Sequence, residues 1–60
     1  MTRNEMGQRK MWAIEDKHGN RVPMARYEED EKDWAEEDMQ EIYIPKYGIK
    51  AGLHIVEIWF

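Results

Sequence analysis

The sequence predicts a small α+β domain with the element order β-β-α-β, in which one helix packs on a three-stranded antiparallel sheet. Three observations predict this fold. Two short stretches of alternating apolar character flank a turn that contains glycine and asparagine. A long acidic stretch with helical periodicity follows them, and an apolar strand ends the sequence. A hairpin followed by a helical crossover gives the strand order 2-1-3.

The hairpin is predicted from the first half of the chain. Residues 10–15 alternate, with Trp12 and Ile14 on one face of a strand, and residues 21–27 form the return strand. The five residues between the strands include Gly19, which is suited to a turn with positive φ. Pro23 has no N–H to donate to a neighbouring strand, so the return strand is predicted at the edge of the sheet.

The acidic stretch, residues 28–41, holds nine of the thirteen carboxylates of the chain and a single lysine. At about 100° per residue it forms an amphipathic helix. Its predicted apolar arc consists of Trp34, Ala35, Met39, Ile42 and Tyr43. Its predicted acidic side consists of Glu29, Asp30, Asp33, Glu36, Glu37 and Glu41. The sequence Ile44-Pro45 is predicted to end the helix, because the residue before a proline disfavours helical angles.

Residues 53–60 form the strongest strand pattern, and both of its faces are largely apolar. Such a strand is expected to lie in the centre of a sheet or beneath a second subunit. One sheet face would have nothing in the monomer to cover it and is a predicted interface. Sixty residues without cysteine form one small domain with a small core, which also favours a homodimer. Residues 1–9 are predicted to be a loose N-terminal arm.

Composition and residue types exclude several functions. The chain has no serine or cysteine and only one threonine, so the usual nucleophilic triads are absent and catalysis is not expected. His18 and His54 match no metal-ligand spacing, and no cofactor is predicted. With a net charge of −4, direct nucleic-acid binding is not expected. No apolar run is long enough to cross a membrane and no signal peptide is visible, which predicts a soluble intracellular protein.

The acidic helix has two interpretations. Its carboxylates form a solvated face that aids solubility, or they imitate the phosphates of nucleic acid in a cleft lined with lysine and arginine. Carboxylates four residues apart are separated by about 6 Å along a helix axis, which is comparable to phosphate spacing. Trp34 likewise anchors the core or lines an apolar pocket. Asp38 lies inside the apolar arc, where an unpaired carboxylate is costly to bury, so this end of the arc is predicted to face a partner.

Three features resemble the short uracil-DNA glycosylase inhibitors of Bacillus phages. They are Met11 in the first strand, the Asp-x-x-Gly turn at residues 16–19, and the acidic–aromatic pair Asp33-Trp34 in the single helix. The spacing between these features matches without a gap and covers about half of the chain. The family has a glutamate and a tyrosine where this chain has Ala35 and Asp38, which affects the apolar pocket rather than the helix.

The resemblance implies a homodimer that mimics DNA in the cytoplasm of an infected bacterial host. Its acidic groups would occupy the DNA cleft of the host glycosylase, and an apolar pocket would capture an enzyme side chain. The residues predicted to bind the target are Asp33, Trp34, Glu36, Glu37, Asp38, Met39 and Glu41.

Two alternatives remain open. The stretch 10–13 (Lys-Met-Trp-Ala) and the pair Val22-Pro23 are similar to small phage inhibitors of host RNA polymerase, whose helix is also acidic. The third possibility is a structural or assembly protein in which the acidic face only confers solubility.

Overall fold

A computed structural model describes residues 9–59 of the chain. The predicted N-terminal arm, apart from Arg9, and Phe60 lie outside these residues. The described part contains three strands, two short α-helices, and turns of 3-10 and π helix. In chain order, the elements are β1 (Lys10–Glu15), β2 (Arg21–Glu28), a 3-10 turn (Glu29–Glu31), α1 (Lys32–Asp38), a π turn (Met39–Tyr43), α2 (Ile44–Tyr47), a second 3-10 turn (Ile49–Ala51) and β3 (His54–Trp59).

The sheet confirms the predicted fold class and strand order. All three strands are antiparallel in the order β2-β1-β3. The register between β1 and β3 is regular and pairs Ile14 with Ile55 and Ala13 with Val56. β3 therefore lies at an edge of the sheet formed by residues 9–59 and not at its centre, and the alternative that a second subunit covers it stays a prediction. Its outer edge has no neighbouring strand in this sheet.

The hairpin turn between β1 and β2 is built around Asp16. One carboxylate oxygen of Asp16 accepts hydrogen bonds from the backbone N–H groups of His18 and Asn20, at 2.8 and 2.9 Å. The bond from Asn20, and to a lesser extent that from His18, lowers the pKa of the Asp16 carboxyl below its usual value. Gly19 has a φ of 84°, which is the conformation that the turn requires of a glycine.

The β1–β2 register contains a large bulge. Between the pairs formed by Ala13 and Glu15, β1 contributes one residue and β2 contributes four, at positions 22–25. This irregular segment includes Pro23, as expected of an edge strand. It also includes Met24, whose φ of 66° lies in the left-handed region that few side chains adopt.

The core lies between the sheet and the helical segment, which we define as residues 29–47. Ile14 is the one large side chain of the described residues that is fully buried. It clusters with Val22 and Ala25, and Ala35 of α1 is also fully buried. Half-buried side chains complete the cluster, namely Tyr27, Met39, Tyr43, Leu53 and Ile55. A core this small leaves little margin for the loss of any one apolar contact.

The start of the helical segment is fixed by two hydrogen bonds. The Glu31 side chain accepts from the backbone N–H of Glu28 at 2.9 Å, as in a capping box. The indole N–H of Trp12 donates to the backbone oxygen of Glu29 at 2.8 Å. Trp12 thereby ties β1 to the first turn of the helical segment. The acidic stretch itself begins at Glu28, the last residue of β2, and not in the helix.

The prediction that Ile44-Pro45 ends the helix is wrong. The segment continues to Tyr47, and Pro45 sits in the first turn of α2. It follows the π turn, where Ile44 N–H bonds to Met39 five residues back. The first turn of a helix is where proline is tolerated, so this interruption allows the chain to restart as α2.

The sheet face opposite the helical segment contains a row of apolar side chains. Directly paired residues of an antiparallel sheet share a face, so Ala13, Val56 and Ile58 lie together there. Ala13 and Ile58 are buried, and Met11 and Val56 are half-buried. Two of these four side chains are thus inaccessible, while the use of this face as an interface stays a prediction.

Candidate protein-binding surface

The outer side of the helical segment is a continuous acidic surface. Asp33, Glu36, Glu37 and Glu41 are all exposed. Among residues 9–59, none of these four carboxylates has a hydrogen-bond or ion-pair partner. Neighbours such as Asp33 and Glu37 repel each other by roughly 0.2–0.5 kcal/mol per pair. We call these four residues the acidic face. They are free to bind cations of another molecule without first giving up an internal contact.

The single lysine of the acidic stretch does not neutralise this face. The Lys32 ammonium lies over the Trp12 ring, 4.8 Å from its centroid. Lys10 lies 5.0 Å from the same centroid and also pairs with Glu57 at 3.3 Å. Trp12 therefore holds both ammonium groups near the sheet by cation–π contacts. The acidic face keeps its full negative charge as a result.

Two large apolar side chains lie exposed on the helical segment beside the acidic face. Trp34 is 58% exposed and Ile42 is 50% exposed. The interpretation of Trp34 as a core anchor is therefore wrong, and its place in an apolar pocket stays a prediction. Ile42 was expected in the buried arc, but in the wide π turn it is exposed, whereas Tyr43 and the following Ile44 are half-buried. Tryptophan is enriched among the residues that dominate the binding energy of protein interfaces.

Two of the predicted target-binding residues are instead engaged with the fold. Met39 is half-buried against the core cluster. Asp38 is half-buried and accepts a hydrogen bond from the Tyr27 hydroxyl at 2.8 Å. The expectation that Asp38 faces a partner for want of an internal one is wrong, because β2 supplies its donor. The sequence did not identify Tyr27 as this donor, because its hydroxyl reaches Asp38 from β2, a different element.

The Tyr27–Asp38 contact makes a testable contribution to stability. Burial first, and then the hydrogen bond to Asp38, raise the pKa of Tyr27 above its ordinary value. Tyr27→Phe removes the bond and should lower the free energy of unfolding by about 1–2 kcal/mol at neutral pH. The folded state favours the protonated phenol, so this contribution is complete below about pH 10 and is lost as the pH rises further.

Urea denaturation of the parent and Tyr27→Phe between pH 7 and 11 measures this effect. The difference between the two proteins should shrink above about pH 10, while titration of the other tyrosines and of the lysines cancels in the comparison. Tyr47→Phe is a matched control, since Tyr47 is exposed, and it should change stability little. A difference that stays constant with pH would contradict the contact.

A shallow groove lies between the helical segment and β3. It is lined by Lys32, Glu36, Met39, Gln40, Leu53, His54 and Ile55. The groove borders the free edge of β3. A strand of another chain that paired with this edge would therefore contact the apolar side chains of the groove. Within residues 9–59, no three His, Cys, Asp or Glu side chains converge as metal ligands would.

Comparisons with known proteins identify no relative of this chain. The chain matches no protein-family model, no curated protein and no solved structure. No helix in the described range is long and apolar enough to cross a membrane.

Proposed function

We propose that this chain is a DNA-mimicking protein inhibitor whose target is the uracil-DNA glycosylase of a bacterial host. The observation that carries the proposal is the acidic face, in which four exposed carboxylates on one side of a helix have no partner among residues 9–59. In this proposal the protein is not an enzyme, needs no cofactor and acts in the host cytoplasm.

The acidic face suits a cleft that normally binds DNA. Carboxylates one helical turn apart present negative charge at a spacing of about 6 Å, and a cleft lined with lysine and arginine attracts either these groups or phosphates. Each close charge pair across such an interface contributes roughly 1.5–7 kcal/mol of coupling. Because charge also steers the encounter, association should slow as salt is added.

Trp34 and Ile42 supply the apolar part of the proposed interface. Both are about half exposed and lie on the same helical segment as the acidic face. Their exposed surfaces would bind the apolar side chain that the enzyme inserts into the DNA duplex. Asp38 lies next to them but is held by Tyr27, so its proposed role is to support this surface rather than to bind charge.

The proposed homodimer would form through the outer edge of β3. β2 protects its own edge with Pro23 and a bulge, whereas β3 is regular in register and contains no proline, glycine or lysine. Two copies of β3 can pair antiparallel about a two-fold axis, which extends the sheet to six strands. Two registers place a central residue of β3 on the two-fold axis. The register centred on Glu57 would set the two Glu57 carboxylates opposite each other, where they repel, so we propose the register in which Val56 of one copy faces Val56 of the other.

A cysteine placed at the axis tests this dimer, since the chain has no cysteine of its own. Val56→Cys should be joined into a covalent dimer by a short thiol-specific crosslinker, because opposite β-carbons lie about 5 Å apart. Met24→Cys is the control, as Met24 is far more exposed but belongs to the opposite edge strand. Equal crosslinking of both variants, or sedimentation at the 7.3 kDa monomer mass, would rule out this dimer.

A uracil-excision assay tests the function directly. A purified bacterial uracil-DNA glycosylase acting on uracil-containing duplex should be inhibited by stoichiometric protein, and the two proteins should co-elute on size exclusion. A glycosylase that excises uracil at full rate in a large excess of this protein would reject the target. A pull-down from bacterial lysate then shows which protein, if any, the acidic face selects.

Host RNA polymerase is the second candidate target. The observation that favours it is that 10–13 and Val22-Pro23, which carry the similarity to polymerase inhibitors, occupy adjacent strands β1 and β2. A single-round transcription assay with purified host polymerase distinguishes the two targets. Inhibition of neither enzyme, with no protein captured, would favour a structural or assembly protein whose acidic face confers solubility.

A further inference from the structure

The groove between the helical segment and β3 is open because of where α1 packs. α1 contacts mainly β1 and β2, so the side chains of β3 that point toward the helical segment are only partly covered. The groove has a volume of about 370 Å³, and its lining includes Met39, Gln40, Leu53 and Ile55. Three of these four are half-buried apolar side chains packed on the core cluster. A large apolar side chain that entered the groove would therefore extend the core.

Trp59 is a large apolar side chain that its own monomer covers poorly. It is 52% exposed, although it lies in a strand. Its indole N–H has no acceptor among residues 9–59, whereas the indole of Trp12 donates to a backbone oxygen. Trp59 pairs with Lys10 of β1 and so shares its face of the sheet. By alternation along β1 this is also the face of the core residue Ile14, so Trp59 and the groove lie on the same side of the sheet.

The register of the proposed homodimer brings Trp59 and the groove together. When Val56 faces Val56 across the two-fold axis, Trp59 of one copy lies opposite Leu53 of the other, because both are three residues from Val56. Opposite β-carbons are about 5 Å apart, and a diagonal neighbour such as Ile55 is within reach of an aromatic side chain. The register centred on Glu57 would instead place Trp59 opposite Ile55, which lines the same groove.

We propose that Trp59 of each copy fills the groove of the other copy and anchors the homodimer. This inference rests on the dimer of the proposed function. The indole packs on Met39, Leu53 and Ile55. Its N–H donates to the side-chain oxygen of Gln40, which is exposed and has no partner among the described residues. The two-fold axis makes two such sites in each dimer, and each site is built from both copies.

Sedimentation equilibrium of full-length variants tests this anchor. Trp59→Ala removes two indoles from each dimer, so the dimer dissociation constant should rise at least about 100-fold, or tenfold for each indole. Trp34→Ala is the matched control, because Trp34 is similarly exposed but does not line the groove, and it should dimerise as the parent does. Circular dichroism checks that each variant is folded. An unchanged dissociation constant in folded Trp59→Ala would overturn the proposal.

Nuclear magnetic resonance of a mixed dimer locates the indole without any substitution. Equal amounts of ¹³C-labelled and unlabelled protein are combined, and nuclear Overhauser effects between the two copies are selected. The Trp59 ring should show such effects to the methyl groups of Met39, Leu53 and Ile55. A protein of dimer mass without them would refute the anchor and leave the dimer in place, whereas a monomer mass would reject both. The uracil-excision assay reports on the target independently of either result.

Discussion

Ile14→Ala should leave this protein largely unfolded at room temperature. Ile14 is the one large side chain among residues 9–59 that is fully buried, and it contacts the core from the central strand β1. Truncation of a buried isoleucine costs about 2–5 kcal/mol, because it removes apolar contact and leaves a cavity. A domain of this size rarely has more than about 3–5 kcal/mol of stability in total.

Circular dichroism with urea denaturation measures this loss. Ile14→Val is the graded control and should cost about 0.5–1.5 kcal/mol while the fold is retained. Ile49→Ala removes apolar surface at an exposed position and should have almost no effect. An Ile14→Ala protein that melts as the parent does would show that the core is not organised around β1.

Neutralising the acidic face should have the largest effect on target binding. The triple variant Asp33→Asn, Glu36→Gln, Glu37→Gln removes three exposed carboxylates that have no partner among the described residues. If these groups replace phosphates, affinity for the target should fall by at least about 3 kcal/mol, which is more than 100-fold. The free energy of unfolding should stay the same or rise slightly, because like-charge repulsion is relieved.

A charge-conserving triple variant is the matched control for this experiment. Asp33→Glu, Glu36→Asp and Glu37→Asp alter side-chain length but keep the charge, so most of the affinity should remain. Inhibition constants for uracil excision, measured at two salt concentrations, give the comparison. Equal inhibition by the neutral variant and the parent would leave the acidic face with a solubilising role only.

The sheet was predictable because its signals are local. Alternation along 10–15 and 53–60, Gly19 in the turn and Pro23 at an edge predicted the strands and their order, all of which are confirmed. The boundaries differ by one residue at the end of β2 and at the start of β3. Alternation of this kind is read from adjacent positions in the sequence and needs no knowledge of tertiary contacts.

The errors lie where one contact or one turn changes the helical geometry. A fixed 100° per residue placed Ile42 in the buried arc, whereas the π turn rotates it outward. Asp38 could be judged only with its donor Tyr27, which comes from a different element. The position of Lys32 over Trp12 likewise depends on the packing of the helix on β1. None of these contacts can be derived from sequence periodicity alone.

The π turn at Met39–Tyr43 divides the helical segment into two halves whose side chains are out of phase with each other. Its extra residue per turn rotates the side chains of α2 around the helix axis by about 100°, relative to their positions in an uninterrupted α-helix. A deletion of one residue within the turn would therefore swing Ile42 and the rest of the C-terminal half around the axis, while α1 and its carboxylates stayed in place. Glu41 and Ile42 would then move together relative to Trp34 and the three carboxylates that α1 contributes to the acidic face.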